Sequence, residues 1–540
     1  MLDLILRDLV VIDGSGQPGY PADLGVRDGH IAVIGTLDKQ TADVELDAQG
    51  LVASPGFIDM HNHSDLSLVV EPSADSHVRQ GITTAVIGNC GFSAAPIDPD
   101  QTNILEAYAT LLADGASVPW SWRSFDQYLT VLENNGLGLN VALLIGHGPV
   151  RLAAMGPDNR HPTQAELDSM RQLVDGTMRA GAFGLSSGLE YPPGFFADRS
   201  ELVALAEVVA EYNGLYASHI RGYGRTLPEA VEEALEIGRT AGAAVQISHL
   251  QASGRPAWGN ATQALALMDE ARMVGVDVTC DVYPYTACAT SLSIILPPWV
   301  HDGGDPAMLA RLDNPSLRPR LLADMASGLP GWDSMSTDVG WDRIVISECP
   351  GRPEAIGYSI AELATQAEQD PVDTAFDLLR ISNGQAAMIA YDKDEQDVIS
   401  IMRHPMAMIA SDSHSRGPIA SQQGTKPHPR GYGTFPRVLG CYVREKQVLT
   451  LEEAIHKMTG LPARRLGLSD RGLLQKGMWA DIVLFDPDTV ADVATYAEPH
   501  RYPVGIPYVF INGQPVVWEG QVTGQLAGHL LRHERNGGHS

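Results

Sequence analysis

The sequence predicts an α/β protein, a (β/α)8 TIM-like barrel joined to a small β-sandwich domain formed by both chain termini. Three observations predict it. The middle of the chain alternates near-continuous apolar runs with amphipathic helical patterns, the signature of parallel strands covered on both faces. Both ends show short strand-like runs separated by turn residues. Polar residues recur where the apolar runs of the middle stop, and a barrel gathers those strand ends on one rim.

Taken in order, the first fifty residues read LILRDLVVID, GSGQPG, ADLGVRDGHIAVIG and ADVELDAQG, the spacing of small antiparallel strands. The same texture returns in ADIVLFDP and PVGIPYVFINGQPVVWEGQVTG. Because chain ends often lie close together, residues 1–55 and 470–540 are assigned to one β-sandwich domain. Residues 56–469 are assigned to the barrel, with strands expected at 56–61, 81–88, 139–147, 182–187, 214–219, 244–249, 275–283 and 406–411. Helical patterns such as TQAELDSMRQLVDGTMRAG, LPEAVEEALEIGRTAG and ATQALALMDEARMVG lie between them. The Pro/Gly-rich segment at about 291–343 fits no barrel unit and is expected to be an insertion after the seventh strand that covers the substrate.

Composition narrows the function. The chain has 540 residues, with 66 acidic against 37 basic and a net charge of −29, which argues against binding to phosphate backbones. No stretch approaches the roughly 20 apolar residues that span a bilayer, and the opening MLDLILRDLVVIDGSG lacks the basic region of a signal peptide. The expectation is a cytoplasmic protein without nucleic-acid or membrane partners. Its five cysteines, Cys90, Cys280, Cys288, Cys349 and Cys441, are too scattered for a disulfide framework.

The chemistry is expected on the barrel rim. His61 and His63, two apart at the end of the first strand, leave the same face. Cys90 follows the second strand, His219 ends the fifth, His249 the sixth, and Asp412 follows the eighth. Four imidazoles, a thiol and a carboxylate are zinc chemistry. His147, at the end of the third strand, shares the rim without being needed.

The motifs PGFIDMHNHSD, IGNCG, GLSSGLEYPPG, ASHIRG, QISHLQASG, DVYPYTA, IASDS and PHPRGYGTFPRVLG, in this order along nearly the whole chain, resemble the amidohydrolase superfamily and its N-acyl-D-amino-acid deacylase branch. The resemblance implies that Cys90, His219 and His249 hold a tightly bound zinc. It implies a second, weaker site from His61, His63 and Asp412, with Cys90 shared. It also implies that Arg430 grips the substrate carboxylate, a task suited to a planar fork. Asp412 is the candidate general base and acid, and Tyr283 and Tyr285 are candidate phenol donors to substrate or oxyanion.

The substrate implied is a small N-acyl-D-amino acid. An N-acyl-L-amino acid or an Nε-acyl-lysine would use the same machinery, because pocket walls read chirality and length. Cyclic-amide hydrolysis is disfavoured, since Gly184-Leu185-Ser186-Ser187-Gly188 carries no lysine at the fourth strand end. A non-catalytic relative would be expected to lack one of these ligands or Asp412. The sequence departs from the family pattern at Gln251, where a lysine often stands, and in Ile220-Arg221-Gly222-Tyr223, which lacks an acidic pair. Without a cation at 251, neutral or hydrophobic substrate side chains are expected.

Overall fold

The computed structural model describes residues 1–97, 117–418 and 424–534. The chain opens with β1 (Leu2–Val11), β2 (Tyr20–Arg27), β3 (His30–Gly35), β4 (Ala42–Asp47) and β5 (Val52–Pro55). β1 buries Leu2, Leu4 and Leu6, then switches parity to Leu9 and Val11. The cause is a bulge: the pairing with β2 shifts between Leu6 and Leu9, and Asp8 takes a left-handed backbone with φ 56°. One extra residue turns the next side chains over, so both halves of the strand stay buried.

The barrel begins with β6 (Phe57–Asp59) and continues through β7 (Ile82–Ile87), β8 (Asn140–Gly146), β9 (Gly184–Gly188), β10 (Leu215–His219), β11 (Ala244–Ile247) and β12 (Val278–Val282). After the inserted unit described below, β16 (Ala407–Ile409) pairs parallel with β12, which completes an eight-stranded sheet. The barrel closes at its C-terminal rim, where Asn62 bridges Ser413 in parallel and the Asp412 amide donates to the His61 carbonyl at 2.9 Å. These strands are almost entirely buried, as helices on the outside and side chains within require. The helices obey local rules: Gln164–Arg179 starts in a capping box of Thr163 with Glu166, and Leu227–Ala241 ends on Gly242 with φ +71°.

Between β12 and β16 lies β13 (Cys288–Ser291), β14 (Ile344–Glu348) and β15 (Ala387–Ala390), an antiparallel sheet in the order β13-β15-β14. It has its own core, including Leu292, Ile295, Met308, Ile344, Ile346, Phe376, Leu379 and Met388. The unit is longer than the 291–343 segment expected to be inserted. Ile344–Glu348 and Ala387–Ala390 are apolar runs that a barrel could equally have used, and only their pairing assigns them to a separate sheet.

The chain ends in β17 (Ile482–Phe485), β18 (Tyr508–Ile511), β19 (Gln514–Trp518) and β20 (Gln521–Val522). β17 pairs antiparallel with β5, joining both terminal regions into one nine-stranded sheet. Among the described residues, no helix is long and apolar enough to cross a membrane.

Candidate metal centre

Ligand atoms of His61, Cys90, His249 and Asp412 all lie within 4.8 Å of one another. Each comes from a different strand end, so closure of the barrel is what assembles them. Cys90, His249 and Asp412 have left-handed backbones, with φ 53°, 31° and 49°. Non-glycine residues rarely sit there, and such strain gathers at functional sites. The turn around Cys90 is also tight: a Cβ on Gly91 would lie 2.4 Å from the backbone nitrogen of Gly188. Only glycine permits that approach.

His61 Nε2 stands 3.1 Å from Cys90 Sγ and 3.4 Å from Asp412 Oδ1, and His249 Nε2 is 3.3 Å from Cys90 Sγ. His63 reaches the cluster through Asp412, with Nε2 3.2 Å from Oδ1. The His61 and His63 rings lie 5.2 Å apart. The spacer Asn62 donates instead to Asp59 at 2.8 Å, away from the cluster. His219 flanks the group, its ring 4.6 Å from that of His249 and its Nε2 2.9 Å from Glu190 Oε2.

Burial works against charge on Cys90, but His61, His249 and His63 hold its thiol well below the ordinary value. Burial likewise opposes charge on Asp412, yet Arg430, then His249 and His63, hold it well below the usual carboxylate range. An anionic sulfur and carboxylate ringed by imidazoles fit a borderline-soft divalent cation. Consistent with that fit, Nδ1 of His63, His219 and His249 is buried without a hydrogen-bond partner.

Two residues that sequence reasoning did not single out support the centre. Asp281, on β12, accepts the His249 amide at 2.7 Å and Gln246 Nε2 at 2.7 Å, and its Oδ1 lies 3.3 Å from His61 Nδ1. It holds the His249 backbone and sets a carboxylate beside the His61 ring, the place taken by carboxylates behind metal-binding histidines. Glu190, on the loop after β9, meets His219 and lines the cavity. Both stand near strand ends, a signal that strand position alone could have supplied.

The cluster opens into a cavity of about 240 Å³. Arg430 lines it, donating from Nη1 to Asp412 Oδ2 at 2.6 Å and from Nη2 to the Ala289 carbonyl at 3.3 Å, with its guanidinium 4.7 Å from the Tyr283 ring centre. Tyr283 also lines the cavity, but its hydroxyl donates to Gln251 Oε1 at 2.9 Å, so its proton is engaged. Tyr285 is not among the cavity residues and packs against Arg437, whose guanidinium lies 4.8 Å from its ring centre. His147 also lies off the cavity, with Nε2 2.7 Å from Glu201 Oε1.

The sequence profile of the amidohydrolase family matches residues 44–517. The chain belongs to the amidohydrolase family. This amidohydrolase is 39% identical to N-acyl-D-glutamate deacylase from Alcaligenes xylosoxydans xylosoxydans, covering 99% of this chain and 97% of the relative. It is 37% identical to D-aminoacylase of the same organism, covering 98% and 97%. A solved structure of N-acyl-D-glutamate deacylase from Bordetella bronchiseptica, holding zinc and a phosphonate mimic of the tetrahedral intermediate, superposes with a TM-score of 0.83. That structure is 38% identical and covers 98% of this chain and 99% of its own.

Proposed function

We propose that this amidohydrolase hydrolyses the amide bond of N-acyl-D-amino acids, giving a carboxylate and a free D-amino acid, with zinc as its metal. One observation carries the reading: the clustered His61, Cys90, His249 and Asp412 and the guanidinium of Arg430 meet around one cavity. Metal chemistry and carboxylate recognition thus stand side by side. The relatives named for N-acyl-D-amino-acid hydrolysis match this chain over nearly its whole length and support the same substrate class.

Cys90, His219 and His249 are assigned to the tightly held zinc. His61, His63 and Asp412, with Cys90 shared, are assigned to a second, weaker site. Zinc in such a site supplies an electrophile for the amide carbonyl and makes water a competent nucleophile near neutral pH. Asp412 takes the proton of the attacking water and returns it to the departing nitrogen. Arg430 keeps donors free beyond those given to Asp412 and Ala289, because a guanidinium has five. Those donors hold the substrate's carboxylate and so orient its amide. Tyr283 packs beneath that fork, and Tyr285 acts through packing.

The five cysteines are all unpaired, which fits a reducing compartment, and we place the protein in the cytoplasm. Its partner is a small acyl amino acid. The test is amine release by the zinc-replete enzyme from N-acetyl-D-methionine, N-acetyl-L-methionine and Nε-acetyl-lysine. Strong preference for the D-methionine derivative is expected. Preference for either other substrate overturns the assignment while leaving the metal chemistry in place.

A further inference from the structure

A second, smaller cavity adjoins the main one. It measures about 30 Å³ and shares Cys90, Phe92 and Tyr191 with the large cavity. Pro149 and Leu152 of the helix His147–Met155 line it, together with Pro192 and Pro193 of the loop after β9. None of its described lining residues carries a charge, and the Tyr191 hydroxyl is engaged, 3.0 Å from Thr290 Oγ1 on β13. The remaining wall is close-packed backbone: the Gly148 amide donates to the Gly91 carbonyl at 2.8 Å, and a Cβ on Gly188 would lie 2.1 Å from the Cys90 carbonyl oxygen. Walls packed that closely do not swell to admit extra atoms without strain.

Resting on the deacylase reading, we propose that this small cavity is the acyl subsite: it takes the alkyl part of the substrate's acyl group and admits acetyl and propionyl but not longer chains. Arg430 meets the metal cluster at Asp412, whereas the small cavity meets it at Cys90. A substrate whose carboxylate sits on Arg430 and whose carbonyl reaches the cluster carries a planar, trans amide. Its acyl carbon therefore points away from the amino-acid Cα, toward the Cys90 side. There the small cavity offers apolar surface, and alkyl groups gain by leaving water. Size sets the limit. One water-sized group needs roughly 10–15 Å³, so a cavity of about 30 Å³ receives about two, the carbons of an ethyl group. The main cavity, about 240 Å³, is left for the amino-acid side chain. An acyl group lying in that larger space instead would meet no such limit.

The experiment compares kcat/KM of the zinc-loaded full chain for N-acetyl-, N-propionyl- and N-hexanoyl-D-methionine in wild type, Leu152→Ala and Met388→Ala. In the wild type the acetyl and propionyl derivatives are expected within about tenfold of each other, and the hexanoyl derivative below acetyl by about tenfold or more. Leu152→Ala, which lengthens the small cavity, is expected to raise the hexanoyl-to-acetyl ratio by about tenfold. Met388→Ala, on the wall of the main cavity, is expected to leave that ratio unchanged. A wild-type ratio near one, a ratio unmoved by Leu152→Ala, or a ratio raised by Met388→Ala overturns the acyl subsite. If Leu152→Ala does not fold, Leu152→Val makes the same test with a smaller expected rise, and the wild-type ratio decides in either case. The two readings fail differently: no amine release from any of the three substrates removes the deacylase function itself, whereas release without the length preference removes only this inference.

Discussion

At the barrel rim, His61, Cys90, His249 and Asp412 come from four different strand ends and hold one another in a web of short polar contacts. On another wall of the same cavity, the inserted unit presents Ile294, Met335 and Met388 from an apolar core of its own, with Glu348 as its carboxylate. The rim is fixed by barrel closure and tolerates little, because each ligand serves several neighbours. The inserted wall is a separately packed layer laid over the rim. The two layers are packed separately, so substitutions in the two should fail in different ways.

The largest effect is expected at Cys90, which touches both His61 and His249. Cys90→Ala should lose bound zinc and amine release together, read by metal analysis beside the assay; retention of both would remove the thiol from the centre. Asp412→Ala should separate the two, keeping the tight metal while turnover falls by about 10²–10⁴-fold, the usual worth of a positioned proton carrier. Near-normal turnover would take Asp412 out of proton transfer.

Arg430→Ala should lower kcat/KM for acyl amino acids by about 10–100-fold, as expected for a lost charge-assisted contact. Simple acyl anilides lacking the carboxylate should be affected far less, and equal losses on both would count against recognition by Arg430. Asp281→Asn should weaken zinc affinity by about 10–100-fold, because this carboxylate holds the His249 backbone and stands beside the His61 ring. Unchanged affinity would reduce Asp281 to a structural tie.

The smallest effect on the metal is expected from the inserted unit. Phe376 is buried in that unit's core, and Phe376→Ala should cost about 3–5 kcal/mol of stability. Zinc content should stay close to that of the wild type. Loss of zinc in the folded variant would show that the two layers are not independent.

The same contrast marks how far the sequence could be read. The eight barrel strands stand out as apolar runs ending in polar residues, because a strand covered on both faces leaves no other pattern. His61, Cys90, His219, His249 and Asp412 could be singled out for the same reason: polar side chains at the ends of such runs have one rim to share. What could not be read depends on pairing. The parity switch at Asp8 and the bulge at Ser347 are set by register between strands, which local composition does not encode. The inserted unit extends past residue 343 because β14 and β15 are apolar runs that pairing, rather than pattern, assigns to a second sheet. Asp281 and Glu190 stand near strand ends, but the histidine each one touches lies about 30 positions or more away, and that pairing is set only when the barrel closes.

The most direct test of the account is a zinc titration. Chelator-treated protein is mixed with increasing zinc, and amine release from N-acetyl-D-methionine is followed beside bound metal. The account predicts no release from the metal-free protein and activity that rises with the tightly bound zinc. Full release from metal-free protein, or tight zinc binding without release from any acyl-D-amino acid, would contradict it.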